Sequence, residues 1–337
     1  MKKSYRLHLA IGFLIGVMFM SNSDAQAWGR DIACAGRKLS AAYQNPVALK
    51  LVKAVVLGDA AEVAELAAKG ANVNYVEPGA VPPLVWALCA DNIKGFEALL
   101  KAGADPNLAG DGHGWGDGKG HDLMEDTTLI YPGQSAMLLA AGTATPDFLK
   151  LAIAHGGDLD AAKGTHDPNR PLVIAADSGL FDNIKALLQA GADINAHDEK
   201  YQGQTAPEFA IGTRGRYDIA VWLLQQGYSH QLQDLASTAE SRAIPTDGEQ
   251  QRWKELLIRM LREKGIVFPA SPGLKGELER RIVLPEAVED LIMGRRDVLE
   301  FPLKSPPCGF TAIKLKVPDK CSPEDQGKKS SESKLKK

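Results

Sequence analysis

The chain lacks the short motifs that mark most catalytic sites. No GxSxG, HExxH, GKS or GKT sequence occurs in it, and none of its four cysteines lies in a CxxC pair. These absences speak against a serine hydrolase, a zinc protease, P-loop nucleotide binding and cysteine-based metal or redox chemistry. We therefore predict that the protein is not an enzyme and that it uses no cofactor, metal ion or small-molecule substrate.

A long apolar run is also missing. The apolar stretch Leu9–Met20 is shorter than the roughly 20 residues that span a bilayer. It is flanked, as in a secretory signal peptide, by basic residues and a small-x-small cleavage motif: Lys2, Lys3, Arg6 and Ala25-Gln26-Ala27. We expect residues 1–27 to be a signal peptide that is removed on export, which predicts a periplasmic protein.

The charge of the chain speaks against nucleic acid as a partner. The formal net charge is −3, and removal of the signal peptide, which holds three basic residues and Asp24, makes it about −5. A nucleic-acid-binding domain instead carries a basic patch. Lysines concentrate in the tail 326–337, which also contains several serines and is interpreted as a disordered basic end.

A repeated pentapeptide, Gly-Ala-Asp/Asn-x-Asn, organises the rest of the chain. It follows a helix rich in leucine and alanine at three places, with a weaker copy between the second and the last: Gly70–Asn74, Gly103–Asn107, Gly156–Asp160 and Gly191–Asn195. The first two copies start 33 residues apart and the last two start 35 residues apart. A period of this length predicts a stack of small units, each of which needs a neighbour to bury its apolar face.

The clearest unit contains two helices. The first helix begins near Pro171 and breaks at Asp177-Ser178-Gly179, and the second runs from Asp182 to Ala190 and ends at Gly191. This order of turn, helix, turn, helix and glycine resembles the ankyrin repeat. The resemblance covers roughly residues 46–268. It implies an all-α ankyrin-repeat solenoid of about six units, with hairpin or loop fingers between them.

This chain departs from the family at one position in each unit. The family places a histidine after a Pro-Leu pair, where it forms hydrogen bonds between turns. Other residues stand at that position here: Val85, Leu138, Val173 and Glu208. We therefore expect modest stability, or stability supplied by the ends of the stack. Those ends are an N-terminal segment, residues 28–45, and a C-terminal cap or extension, residues 269–325.

The four cysteines all follow the signal peptide, and an oxidising compartment favours their pairing. Cys308 and Cys321 flank a short extended stretch in a proline-rich region with little core, where a disulfide stabilises most. We predict that these two are bridged. Cys34 and Cys89 remain, either as a bridge that ties the N-terminal segment onto the stack or with Cys89 as a buried free thiol.

One irregular element interrupts the repeat. The second and third pentapeptides start 53 residues apart, about 20 more than one unit. The excess is an inserted loop, residues 109–131, that is rich in glycine. We favour a partner-binding finger with Trp115 as its anchor, over a divalent metal site or a tolerated surface insertion. The candidate contact residues in this loop are His113, Trp115, Asp117, Lys119 and His121.

The ankyrin resemblance implies binding to another protein through the fingers and the adjacent concave helix face. Outside the inserted loop, it assigns four finger residues as candidate contacts: Tyr75, Glu77, His197 and Tyr201. We expect the free chain to be a monomer.

In its organisation the chain resembles exported bacterial ankyrin proteins that act as immunity proteins against type VI secretion effectors, phospholipases among them. This resemblance implies that it binds a toxic secreted effector of lipase or phospholipase type and occludes its active-site entrance or membrane-binding face. Two alternatives stay open. One is a periplasmic ankyrin protein that supports catalase in oxidative-stress defence. The other is a metal-dependent hydrolase that uses the histidines and aspartates of the inserted loop.

Overall fold

The computed structural model describes residues 33–34, 37–110, 134–161, 170–197, 205–245 and 248–304. The predicted signal peptide, most of the inserted loop, the pair Cys308 and Cys321 and the basic tail lie outside these ranges. The described part of the chain is almost entirely helical. The predicted all-α solenoid is confirmed.

Six consecutive helix pairs form the stack. They are α2 (Pro46–Leu57) with α3 (Ala60–Ala68), α4 (Pro83–Cys89) with α5 (Ile93–Lys101), α6 (Ala136–Ala141) with α7 (Pro146–Ala154), α8 (Pro171–Asp177) with α9 (Phe181–Ala190), α10 (Ala206–Arg214) with α11 (Tyr217–Gln225), and α12 (Leu232–Ser241) with α13 (Glu249–Glu263). The first helices pack in the order α2, α4, α6, α8, α10 and α12. Each pair thus buries its apolar face against the pair before it and the pair after it.

Local sequence sets where these helices begin. Proline occupies the first position of α2, α4, α7 and α8, where its missing N–H costs no helical hydrogen bond. Other helices begin with a polar side chain that accepts a backbone N–H of the first turn, as Asn92 does from Gly95 and Ser135 does from Leu138.

Glycine sets where the second helices end. The glycine after each of the first five second helices has a left-handed backbone: Gly70 (φ 88°), Gly103 (91°), Gly156 (86°), Gly191 (103°) and Gly227 (106°). A Cβ atom at any of these positions would meet no atom within 4 Å. Backbone conformation, and not lack of space, therefore selects glycine at the start of each pentapeptide.

One continuous core runs along the stack. Edge-to-face aromatic pairs join neighbouring second helices: the rings of Phe96 and Phe148 lie 5.2 Å apart, and those of Phe181 and Trp222 lie 5.1 Å apart. In the described ranges no helix is both long enough and apolar enough to cross a bilayer.

The N-terminal segment covers the first units. Two short antiparallel strands, β1 (Ala33–Cys34) and β2 (Arg37–Lys38), lead into the short helix α1 (Leu39–Ala42). Cys34 forms a disulfide with Cys89 at the end of α4. Of the two alternatives that the sequence left open, the structure therefore has the bridge and not a free thiol at Cys89. Tyr43 is buried and donates its hydroxyl to the Val81 carbonyl at 2.7 Å. The segment is therefore held by one covalent bond and by packing.

The C-terminal extension contains α14 (Pro272–Arg280), α15 (Pro285–Met293) and a 3₁₀ turn, Val298–Glu300. It packs on α12 and α13 around two buried charged groups. The Lys254 ammonium donates to the carbonyls of Glu240 and Arg242, and the Glu240 carboxylate accepts the amide of Ala270. Burial lowers the pKa of Lys254 to about 8 and raises the pKa of Glu240.

Candidate protein-binding surface

The pentapeptides connect each unit to the next through hydrogen bonds. The side chain of Asn74, at the fifth position of the first copy, donates to the Gly103 carbonyl at 3.2 Å and accepts the Asp105 amide at 2.8 Å. Fifth-position side chains repeat this bridge along the stack, from Asn107 to Gly156 and Asp158, from Asp160 to Asp193, and from Asn195 to Ser229 and His230. The finger bases are therefore held in register by paired polar groups.

The third residue of each pentapeptide forms a local hydrogen bond instead. The Asn72 side-chain oxygen accepts the backbone amide of Asn74, and the Asp193 side-chain oxygen accepts that of Asn195, both at about 3 Å. This local bond closes the turn that presents the bridging side chain. From the sequence we recognised the repeat but did not predict these bridges.

A row of apolar residues lies on the first helices next to the fingers. Leu139 on α6, Ile174 on α8 and Phe209 on α10 occupy the same position of successive units, 35 residues apart, and each is only half-buried. We call these three residues the inner row. The equivalent residue of the second unit, Trp86, is buried instead, because the ring of Tyr43 packs edge-on against it, with the two ring centroids 6.4 Å apart. The inner row thus lies beyond the part of the stack that the N-terminal segment covers.

The sequence analysis predicted that the helix face beside the fingers is a contact surface, but it did not name the three residues of the inner row. The signal that could have found it is the 35-residue spacing of the three side chains, which is the spacing of the repeat itself.

The predicted finger contacts fall at two separate places. Tyr75 and Glu77 lie together at the first finger and contact the N-terminal segment: the rings of Tyr75 and Tyr43 are 6.4 Å apart, and Glu77 accepts the Asn45 amide at 3.4 Å. Hydrogen bonding to Glu77 raises the pKa of the Tyr75 hydroxyl. Both side chains are half-buried by these contacts. His197 lies on the fourth finger, three units further along the chain.

The remaining predicted contacts lie outside the described residues. They are His113, Trp115, Asp117, Lys119 and His121 of the inserted loop, and Tyr201. The backbone on either side of the loop is described, and an antiparallel bridge pairs Ala109 with Ser135. The described residues on either side of this stretch are therefore adjacent.

Comparison with known proteins agrees with this geometry. The ankyrin-repeat family model matches residues 169–199, which include α8, α9 and the fourth pentapeptide. The matched segment is an ankyrin repeat. It is 30% identical over 168 residues to the potassium channel KOR1 of Oryza sativa subsp. japonica, covering 49% of this chain and 17% of that protein. It is also 30% identical over 150 residues to the ankyrin repeat protein nuc-2 of Neurospora crassa, covering 44% of this chain and 12% of that protein.

The chain spans less than a fifth of the length of either relative. The similarity is therefore confined to the repeat region. The match to this repeat indicates that the chain is a protein–protein interaction module.

In α10 a buried acid, Glu208, stands where the ankyrin resemblance places a histidine. The Glu208 carboxylate accepts the Thr205 hydroxyl at 2.6 Å and the Thr205 amide at 3.1 Å. The hydroxyl of Tyr228, from the end of the same unit, donates to the Thr205 hydroxyl at 3.0 Å. These three side chains form one hydrogen-bonded cluster at the start of α10. Burial raises the pKa of Glu208 to about 7.

This buried acid predicts a pH dependence of stability. Because the pKa of Glu208 is higher in the folded chain than its ordinary 4.5, the folded state binds a proton more tightly between pH 4.5 and about 7. The free energy of unfolding should therefore fall as pH rises through this window. Glu208→Gln cannot ionise, so its melting temperature should decline less between pH 5 and pH 8, by a few degrees. Thermal melts at both pH values check this, with the exposed Glu279→Gln as control; equal declines in all three proteins would contradict it.

A metal centre has no support in the described part of the chain, where no three His, Cys, Asp or Glu side chains lie close enough together to hold an ion. The histidines that suggested such a site, His113 and His121, are outside that part.

Proposed function

We propose that this chain is an exported ankyrin protein that binds a toxic secreted effector of lipase or phospholipase type and neutralises it in the periplasm. The observation that carries the binding role is the partly exposed inner row of Leu139, Ile174 and Phe209 on a stack whose fingers are held in register by hydrogen bonds. A surface ordered before binding loses little conformational freedom in the complex.

The disulfide supports an exported protein. Cys34 and Cys89 are bonded across a sequence separation of 55 residues. Such bonds persist in the periplasm and are rare in the reducing cytosol. The basic and apolar start of the chain agrees with this location.

Occlusion is the mechanism that these features favour. The inner row offers apolar contact area, and the glycine-rich insertion begins and ends between the second and third units, next to the α6 end of that row. A large aromatic residue such as Trp115 gives much contact area for little lost freedom. We infer that row and insertion together cover the entrance of the effector's active site or its membrane-binding face.

A neutralisation assay tests this function. The effector tested would be a secreted lipase whose gene neighbours the gene for this protein. It would be exported to the periplasm of host cells that do or do not also produce the mature protein. We expect the protein to restore growth, to form a one-to-one complex with the effector and to inhibit its lipase activity. Growth arrest that persists despite folded protein in the periplasm, with no complex formed, would sink the proposal. Co-purification with a catalase instead would favour the oxidative-stress alternative.

The inserted loop gives a prediction of its own. Deleting residues 111–122 should leave the fold intact, because the paired Ala109 and Ser135 hold the loop ends together. It should weaken effector binding tenfold or more, about 1.4 kcal/mol, because the deletion removes the aromatic anchor. Calorimetric titration of the two proteins measures this. Trp115→Ala separates the anchor from the loop backbone, and unchanged affinity in the deleted protein would mean that the loop is a tolerated insertion.

A further inference from the structure

Two histidines from neighbouring fingers lie against each other. The rings of His197, from the fourth finger, and His230, from the fifth, are stacked with centroids 3.9 Å apart and planes 18° apart. Nδ1 of His197 is 2.9 Å from the carbonyl oxygen of Asn195. The Nε2 atom of His230 is buried and has no hydrogen-bond partner in the described structure.

The same junction contains the last bridge between pentapeptides. The side-chain oxygen of Asn195 accepts the amides of Ser229 at 2.9 Å and His230 at 3.2 Å. The next residue, Gln231, has a left-handed backbone with φ 43°. The imidazole stack and the Asn195 bridge therefore connect the same two fingers.

Protonation acts directly on this contact. Burial lowers the pKa of His230, and the neighbouring His197 lowers it further, whereas Asp193 on the fourth finger and Asp234 on α12 favour its charged form. With one ring protonated, the stack carries a single positive charge. A second proton places two like charges 3.9 Å apart and puts an N–H on a buried atom that has no acceptor.

We propose that the pair His197 and His230 is a pH-sensitive latch: the stacked rings hold the fourth and fifth fingers together near neutral pH, and double protonation separates the rings and releases the Asn195 bridge. The latch is a property of the free chain and does not depend on the identity of its partner. It lets acidification reshape the finger surface while the helical stack stays folded.

Hydrogen exchange tests the latch, with a control inside the same molecule. The amides of Ser229 and His230 report the histidine junction, and the Asp105 amide reports the equivalent Asn74 bridge, which has no stacked histidines. Protection factors, corrected for the intrinsic pH dependence of exchange, would be measured by NMR on the mature chain at pH 7.5 and pH 5.0. We expect the protection of Ser229 and His230 to fall at least tenfold on acidification and that of Asp105 to change little.

Two variants identify the cause. His197→Gln removes one of the two charges, so it should abolish the acid-induced loss at Ser229. His230→Gln should do the same if the variant folds. If the His230→Gln variant does not fold, His197→Gln alone tests the proposal, because the His197 side chain is only half-buried and its replacement should leave the fold intact. The proposal is overturned if Ser229 and Asp105 lose protection in parallel, or if His197→Gln keeps the loss of protection.

Discussion

Gly95→Ala is expected to destabilise the protein by about 3 kcal/mol or more, which corresponds to roughly 6 °C in melting temperature. Gly95 is buried in α5, and a Cβ atom there would lie 1.9 Å from the backbone carbonyl oxygen of Val55 in α2. A backbone atom cannot rotate away as a side chain can. The two helices would have to separate, with loss of packing along the first two units.

The chain offers a matched control for this change. Gly212 also lies within a helix, α10, but an added Cβ would meet no atom within 4 Å. Gly212→Ala should therefore stabilise the protein by about 0.5–1 kcal/mol, because alanine loses less backbone entropy in a helix. Denaturant unfolding of the wild type and both variants tests the pair of predictions. A Gly95→Ala protein as stable as the wild type would show that α2 and α5 are not in this contact.

Removal of the Cys34–Cys89 disulfide should have an effect of similar size. The bond closes a loop with a sequence separation of 55 residues, and the chain-entropy relation gives about 4 kcal/mol for a loop of that length. We expect the double variant Cys34→Ser, Cys89→Ser to unfold at a clearly lower denaturant concentration than the wild type, with its N-terminal segment the first part to become susceptible to protease.

The other two cysteines provide the comparison. The double variant Cys308→Ser, Cys321→Ser leaves the described disulfide in place, so any destabilisation in it measures the predicted second bridge separately. If reduction with dithiothreitol lowers the stability of the wild type but not that of the Cys34, Cys89 variant, the described bond accounts for the whole effect. A Cys34, Cys89 variant that unfolds together with the oxidised wild type would contradict the prediction.

The repeat was predictable from sequence because its residues are selected by local backbone conformation and by hydrogen bonds between near neighbours in the chain. Gly191 needs a left-handed backbone, and Asp193 closes its own turn, so each leaves a mark at a constant place in the unit. The weak copy, Gly156–Asp160, departs from the pattern at one position. Gly157 stands where other copies have alanine, and a Cβ there would lie 2.5 Å from the sulfur of Met137, a residue 20 positions earlier. Only the packed structure explains that exception.

The candidate surface was less predictable, because exposure depends on what covers a residue. Trp86 and Phe209 occupy equivalent positions, yet Tyr43 covers the first while the second stays partly exposed. Tyr75 and Glu77 lie on a finger, as predicted, but the N-terminal segment occupies them. These differences arise from contacts between residues about 30 or more positions apart, which no local pattern encodes.

The sequence by itself determined the class of this protein: a period near 33 to 35 residues and a glycine after each second helix require stacked helix pairs. Tertiary structure decided that Cys34 pairs with Cys89, that Tyr43 covers Trp86, and that His197 contacts His230. The physical reason is the range of the interactions. Backbone conformation and helix capping act within a few residues, whereas burial, stacking and disulfide geometry depend on how the units are placed against one another.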